Sequence, residues 1–210
     1  EFMKKILSII FSSIFLMTSA YAGGMIGIKV GQGDIEGKRT TSFDGSGGNT
    51  SASRDSEYAA VFAEFSINDG PVSLGLEVVP MEAKIDADPG TSTDATAYIE
   101  NLKTVYALAS FDTEFGAVYG KIGYSHADAE VKSNYTNTTL SDASDSLEGP
   151  MVGVGLQFES PLPIIDVIRL EGTYSEFNDL KVTSKSGDST HARTGDANLT
   201  TYSISIARSF

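Results

Sequence analysis

The 210-residue sequence predicts an all-β chain, namely a transmembrane up-and-down antiparallel β-barrel of eight strands with long outer loops and short periplasmic turns. Three observations lead to this prediction. An export segment opens the chain, eight later segments alternate apolar and polar residues, and the links between them alternate strictly between long and short. Alternation at period two together with loops of unequal length is typical of strands that cross a bilayer.

The first 22 residues predict a secretory signal. Two residues that look like a cloning scar precede Met3, the natural start. Two lysines follow, then an apolar run over 6–17, and then a small-residue motif that ends at Ala22. This order is that of a signal peptide, and the run is shorter than the ~20 residues of a membrane-spanning helix. We therefore predict a scar plus a signal cleaved after Ala22, with the barrel domain over 23–210.

Eight strand segments follow the signal. Each places apolar residues at one parity and small, polar or charged residues at the other, and most approach the ~9–11 residues that cross a bilayer when tilted. No segment between them shows helical periodicity. The predicted strands lie at 26–30, 59–67, 72–78, 98–112, 118–124, 152–158, 168–174 and 202–210.

The links between the strands sort into two classes. Four are long and polar, at 40–56, 86–96, 132–146 and 179–196, and three are short, at 68–71, 112–116 and 160–166. An outer-membrane barrel has long outer loops and short periplasmic turns, whereas a water-soluble sandwich has no reason to sort its loops this way. An even number of strands also places both chain termini on the periplasmic side.

The predicted lumen carries balanced charges. A sheet in lipid must close, because unpaired backbone groups are costly there, and eight strands leave an interior that side chains just fill. With Phe62 and Tyr119 also on the lumen parity, we expect a structural ion-pair network that plugs the barrel, and the alternative is a proton or ion path. The six charged lumen residues are Lys29, Glu64, Glu77, Lys121, Arg169 and Glu171.

Aromatic residues suggest a girdle at each membrane interface. Those near the short turns are Phe65, Phe111, Phe115, Phe158 and Phe210. Candidates for the outer girdle are Tyr98, Tyr135, Tyr174 and Phe177.

The last strand carries a family resemblance. Tyr202, Ile204, Ile206 and the final Phe210 resemble the terminal strand that the barrel-assembly machinery recognises in bacterial outer-membrane proteins. Segments 117–124 and 168–174 look like the fifth and seventh strands of opacity-protein or OmpA-like eight-stranded barrels. The resemblance implies a Gram-negative outer membrane, with lipid, lipopolysaccharide and the assembly machinery as partners. Arg208 departs from the pattern, since it falls on the lipid parity, where it would have to snorkel to the headgroups.

The sequence offers little support for an enzyme. Its two histidines are His126 and His191. Ser125 and His126 are adjacent on a predicted strand, so their side chains point to opposite faces. The His-x-Ser pattern of lipid A deacylase barrels is missing. We therefore predict no enzymatic activity, no cofactor and no metal site.

The charge balance bears on possible partners. The formal net charge is −13 and there is no Cys, so nucleic-acid binding and disulfide staples are excluded. Acidic residues concentrate in the outer loops at 40–57, 86–96, 128–148 and 176–197. These loops either are simply solvated or bind divalent cations, lipopolysaccharide phosphates or surface ligands.

Three functions stay open on this basis. The leading hypothesis is a structural or surface-interaction barrel, such as a surface antigen, with a plugged lumen. A porin-like channel for small solutes comes second, and a barrel enzyme that acts on lipid or peptide comes third.

Overall fold

The computed structural model describes residues 23–39, 50–68, 70–80, 83–86, 95–133, 143–186 and 189–210. The predicted scar and signal lie outside these ranges. Among the described residues, no helix has the length and hydropathy that a membrane span requires. The strands are β1 (Gly24–Arg39), β2 (Thr50–Ser66), β3 (Val72–Val79), β4 (Ala83–Asp86), β5 (Ala95–Thr113), β6 (Gly116–Ser133), β7 (Ala143–Glu159), β8 (Val167–Ser186) and β9 (Ser189–Ser209).

The strands form one closed antiparallel sheet. Apart from β3 and β4, which do not pair with each other, each strand pairs with its neighbours in sequence, and β9 returns to pair with β1 from Met25↔Ser209 to Arg39↔Gly195. β3 and β4 both pair with β5, so they are two segments of one wall strand. The wall therefore has eight strands, and the predicted up-and-down antiparallel barrel is confirmed.

The two faces of the wall differ as the alternation predicts. In β1, Ile28 and Val30 are about half exposed on the outside, while Lys29 between them is 3% exposed inside. The same alternation of exposed apolar residues with buried inward residues occurs in every wall strand. The outside therefore carries an apolar band, and the inside carries the charges. An apolar outer band is what hydrocarbon chains require of a barrel. Members of the band include Leu74, Leu76, Val105, Ile122, Val152, Val154, Leu156, Leu170 and Ile204.

The strands extend well beyond the band. Apart from the divided third wall strand, they contain 16 to 21 residues. The predicted loop at 179–196 was wrong for this reason: β8 continues to Ser186 and β9 starts at Ser189, with Ser186 opposite Ser189. Polar, Ser- and Thr-rich composition concealed these strands, but the two segments satisfy each other's backbone groups. The predicted loops at 40–56 and 132–146 are likewise shortened by the starts of β2 and β7.

Outside the apolar band the polarity of the wall reverses. Ala127, Ala129, Leu147 and Phe177 form a buried cluster inside the barrel, while acidic residues such as Glu176 face outward. Phe177 was therefore placed wrongly in the outer girdle, because it shares the inward parity of Arg169 and packs in this cluster at 7% exposure. This part of the barrel is built like a water-soluble one, with apolar residues inside and polar residues outside.

The other girdle candidates divide by position. Phe111 and Phe115 are exposed beside a short turn, and Phe65 meets Phe210 edge-on with ring centroids 6.3 Å apart. Tyr174 is exposed on the outer face. The side chains of Tyr98 and Tyr135 lie outside the described residues. Arg208 is exposed next to the end of the closing strand, where it can reach headgroups.

One side of the wall is only partly paired. β2 and β3 pair from Val61↔Val78 to Ser66↔Ser73. Among the described strands, β2 from Thr50 to Ala60 pairs only with β1, and β4 pairs only with β5. Pro80 follows β3 directly, and proline has no N–H to continue a ladder. The wall therefore has no described backbone ladder between the outer half of β2 and β4.

Candidate functional site

Four charged side chains meet at the centre of the lumen. Lys29 Nζ contacts Glu77 Oε2 and Glu171 Oε1, each at 2.5 Å. Lys121 Nζ contacts the same two oxygens at 3.0 and 3.2 Å. Each lysine thus bridges both glutamates, and no side chain of the four is more than 12% exposed. This group, called the charged quartet below, is electrically neutral as a unit.

The quartet arises from the geometry of the wall. Its members come from β1, β3, β6 and β8, which are alternate wall strands. In a narrow, tilted barrel the inward residues of alternate strands reach the same height and form a layer. The sequence supplies a charged residue at the inward parity of each of these strands, and closure brings the four to the axis.

A second ion pair lies beside the quartet. Arg169 Nη1 and Nη2 donate to Glu64 Oε1 and Oε2 at 2.7 and 2.8 Å, and Arg169 Nε donates to Gln157 Oε1 at 2.9 Å. The two side chains are 5% and 3% exposed. A two-point fork of this kind gives a strong, directional charge-assisted contact. All six charged residues predicted for the lumen are therefore brought together.

Two tyrosines connect the ion pairs to each other. Tyr106 OH donates to Glu64 Oε1 at 2.8 Å, and its ring lies 3.8 Å from Lys121 Nζ. Tyr119 OH donates to Glu171 Oε2 at 3.0 Å, and its ring faces Arg169. Tyr119 was predicted only as a large lumen side chain, and Tyr106 was not among the predicted lumen residues. The available signal was its position between the lipid-facing residues Val105 and Ala107.

Glycines make room for these tyrosine rings. A Cβ at Gly75 would meet the ring and OH of Tyr106, and a Cβ at Gly155 would meet the ring and OH of Tyr119. Both glycines lie at inward parity, opposite the rings, where only a hydrogen leaves enough space. The pairing of a lumen glycine with a lumen tyrosine therefore shapes the charged layer.

We expect Gly155→Ala to destabilise the barrel by about 1–3 kcal/mol, because overpacking forces the Tyr119 ring away from Glu171. Gly120→Ala is the matched control, since Gly120 faces outward and a Cβ there would meet nothing within 4 Å. Equilibrium unfolding by urea in phospholipid vesicles measures both variants. Equal stability of the two would show that the ring moves aside without cost.

A cavity of about 80 Å³ lies on the outer side of the quartet. Glu77 and Lys121 border it on the quartet side, and Ile35, Leu102 and Phe177 contribute apolar walls. Ser125 and Thr104 also line it and bond each other at 2.9 Å. The lumen thus contains a filled charged layer with an accessible space above it.

Ser125 and His126, the residues first considered for catalysis, point to opposite faces of the wall, as expected. Ser125 points inward at 1% exposure, while His126 points outward and its Nδ1 lies 2.9 Å from Glu148 Oε1. In the part of the chain that the structure describes, no group of three or more potential metal ligands occurs. The side chain of His191 lies outside that part.

The predicted assembly signal forms the seam of the barrel. Tyr202 and Ile204 face outward, and Ile206 lies opposite Ile28. Gly24 and Phe210 exchange two backbone hydrogen bonds, with N···O distances of 3.1 and 2.9 Å. The last residue is therefore joined to the first residue of β1.

Solved structures with this architecture include bacterial outer-membrane proteins. The outer membrane protein OprG from Pseudomonas aeruginosa matches with a TM-score of 0.60 at 12% identity, over 90% of this chain and 98% of that one. The outer membrane protease OmpT from Escherichia coli matches with a TM-score of 0.51 at 8% identity, over 92% and 99%. No protein-family model matches the chain, and no curated protein matches it significantly. At these identities the likeness establishes the outer-membrane barrel fold.

Proposed function

We propose that the protein is a sealed barrel of the Gram-negative outer membrane, with a structural or surface-interaction role and with its lumen plugged by charged side chains. The observation that carries the proposal is the filled layer of six charged residues and two tyrosines across the lumen, with no charged side chain more than 12% exposed. The fold and the outer apolar band support the location.

The seal follows from how the charges are satisfied. Every lysine and the arginine of the layer contacts at least one carboxylate, and the two tyrosine hydroxyls also donate to carboxylates. A passing ion would have to separate buried pairs, and breaking one such pair by removing a partner typically costs ~3–5 kcal/mol. The layer therefore favours a plug over a continuous water path.

The outer end is where we propose that contacts with the surroundings occur. Exposed carboxylates surround the wall above the apolar band, among them Asp34, Glu57, Asp128 and Glu176. Lipopolysaccharide, divalent cations or surface ligands are the proposed partners there. Export through a signal cleaved after Ala22, and assembly through Tyr202, Ile204, Ile206 and Phe210, belong to the same proposal.

Planar-bilayer recording tests the seal. We expect the refolded protein to insert without stable single-channel steps, because the charged layer leaves no water path. Heat-modifiable migration of protein recovered from the same bilayer mixture verifies that it was folded. Replacing the quartet together, Lys29→Ala with Glu77→Ala, Lys121→Ala and Glu171→Ala, should create steps if that variant keeps the folded migration.

The runner-up function is a small-solute channel, and the cavity above the quartet is the observation that favours it. Stable steps from the unmodified protein that Lys121→Met or Glu77→Gln abolishes would support the channel and refute the seal. The outward pair His126→Ala with Glu148→Ala is the matched control, since it removes a polar side-chain contact outside the lumen.

A further inference from the structure

The cavity above the quartet combines apolar walls with a few polar atoms. Ile35, Val79, Leu102 and Leu199 line it from four different strands, and Met151 lines it next to the charged layer. Its volume of about 80 Å³ exceeds several times the ~10–15 Å³ that one water molecule needs. A space of this size and lining suits a short hydrocarbon segment better than an ion.

One polar side chain of the cavity lacks a partner. Ser175 is 3% exposed and lines the cavity, and no hydrogen bond to its hydroxyl occurs in the described part of the chain. The other buried hydroxyls that line the cavity are paired, Ser125 with Thr104 at 2.9 Å and Thr201 with Thr173 at 2.7 Å. A buried hydroxyl without a partner costs free energy, so an oxygen from a bound molecule would satisfy it.

The charge at the cavity floor limits the ligand. Lys121 and Glu77 border the cavity, but each is already paired within the neutral quartet. A charged ligand would have to break these contacts or remain unpaired in a poorly solvated space. The geometry therefore favours a neutral molecule.

The cavity lies beside the partly paired side of the wall. Ser56 and Tyr58 of β2 and Val79 at the end of β3 line the cavity. They lie where β2, among the described strands, has no ladder to β3 or β4. The cavity therefore borders the part of the wall for which the described strands show no backbone ladder.

We propose that this cavity is a binding site for a small neutral molecule with an apolar body and one hydrogen-bonding oxygen, such as a short alkanol or a phenol. The apolar body fills the space between Leu102 and Leu199, and the oxygen bonds Ser175. Binding at this site does not depend on whether the barrel conducts ions, so it goes beyond the proposed seal.

Methyl NMR of protein labelled with ¹³C-methyl methionine in lipid nanodiscs tests the site, with 1-hexanol as the probe. Met151 lines the cavity, whereas Met25 packs near Phe62 at the opposite end of the lumen and serves as an internal control. We expect the Met151 signal to shift and saturate while the Met25 signal stays constant. Equal, unsaturated shifts of both signals, or no shift of Met151, would overturn the proposal.

Three variants distinguish specific binding of hexanol in the cavity from its nonspecific partitioning. Ser175→Leu fills the cavity and should weaken hexanol binding by tenfold or more. Ser175→Ala removes only the hydroxyl, so it should weaken hexanol by about three- to tenfold but leave toluene unchanged. Glu176→Gln, on the outward face of the same strand, should change neither. Equal loss of toluene and hexanol in Ser175→Ala would refute the role of the hydroxyl.

Discussion

Glu64→Leu is expected to cost the barrel about 3–5 kcal/mol of unfolding free energy, because it leaves a buried guanidinium without its carboxylate. Of its side-chain hydrogen bonds, Arg169 would keep only the one to Gln157, and Tyr106 would lose the acceptor of its hydroxyl. Nearby Phe62 lies 5.7 Å from the guanidinium and cannot replace a carboxylate. Urea unfolding in phospholipid vesicles, followed by far-ultraviolet circular dichroism, measures the loss.

The second partner provides the decisive comparison for this ion pair. Glu64→Leu combined with Arg169→Met removes both charges, and it should recover most of the loss, since a buried ion pair is often no better than apolar residues of similar volume. Glu176→Leu is the control for a carboxylate exposed on the outer wall, and it should change stability by less than about 0.5 kcal/mol. A cost below about 1 kcal/mol for Glu64→Leu alone would mean that water reaches Arg169, and the seal would then be wrong.

Val154→Arg is expected to destabilise the barrel in lipid by about 2–4 kcal/mol, because it places a charge on the lipid face near mid-membrane. Val154 is 68% exposed in the middle of the outward apolar run of β7. If water covered this face, the substitution would be nearly neutral. A cost of this size therefore arises only if hydrocarbon covers the face. Urea unfolding in vesicles measures it under the same conditions as above.

A matched substitution above the band locates the membrane edge. Gln32→Arg lies on the outward face of β1, beyond Val30 and next to the outward residue Asp34. We expect it to cost only about 0–1 kcal/mol, because at the interface an arginine reaches headgroups and water. Equal costs for Gln32→Arg and Val154→Arg would show that the membrane does not follow the apolar band described here.

Much of the barrel could be predicted because its signals are local. Lys29 between Ile28 and Val30, or Glu64 between Ala63 and Phe65, shows the inward and outward parity within a few residues, since side chains alternate along any strand. The six lumen charges could therefore be identified before any contact was known. Tyr106 was missed because a tyrosine at inward parity has no charge to distinguish it from ordinary filler.

The ends of the strands could not be predicted from local pattern. Residues 180–186 and 189–195 are rich in Ser, Thr and basic residues, so neither alternation nor turn composition marks them clearly as strands, and only their pairing with each other does. Phe177 was placed on the outer girdle because aromatic residues commonly lie at membrane interfaces. Its inward position depends on the apolar interior that the barrel acquires above the membrane.

The sequence by itself determined the strand number, the parity of each face and the set of charges in the lumen, because these follow from period-two alternation along the chain. Only the tertiary structure decided which charges pair, since the quartet joins residues up to 142 positions apart that meet only when β9 closes on β1. It also decided that the closed barrel has a layer of paired charges at its centre and a cavity above it. Closure and strand stagger set the heights of the inward side chains along the barrel axis, and no single segment of the sequence determines those heights.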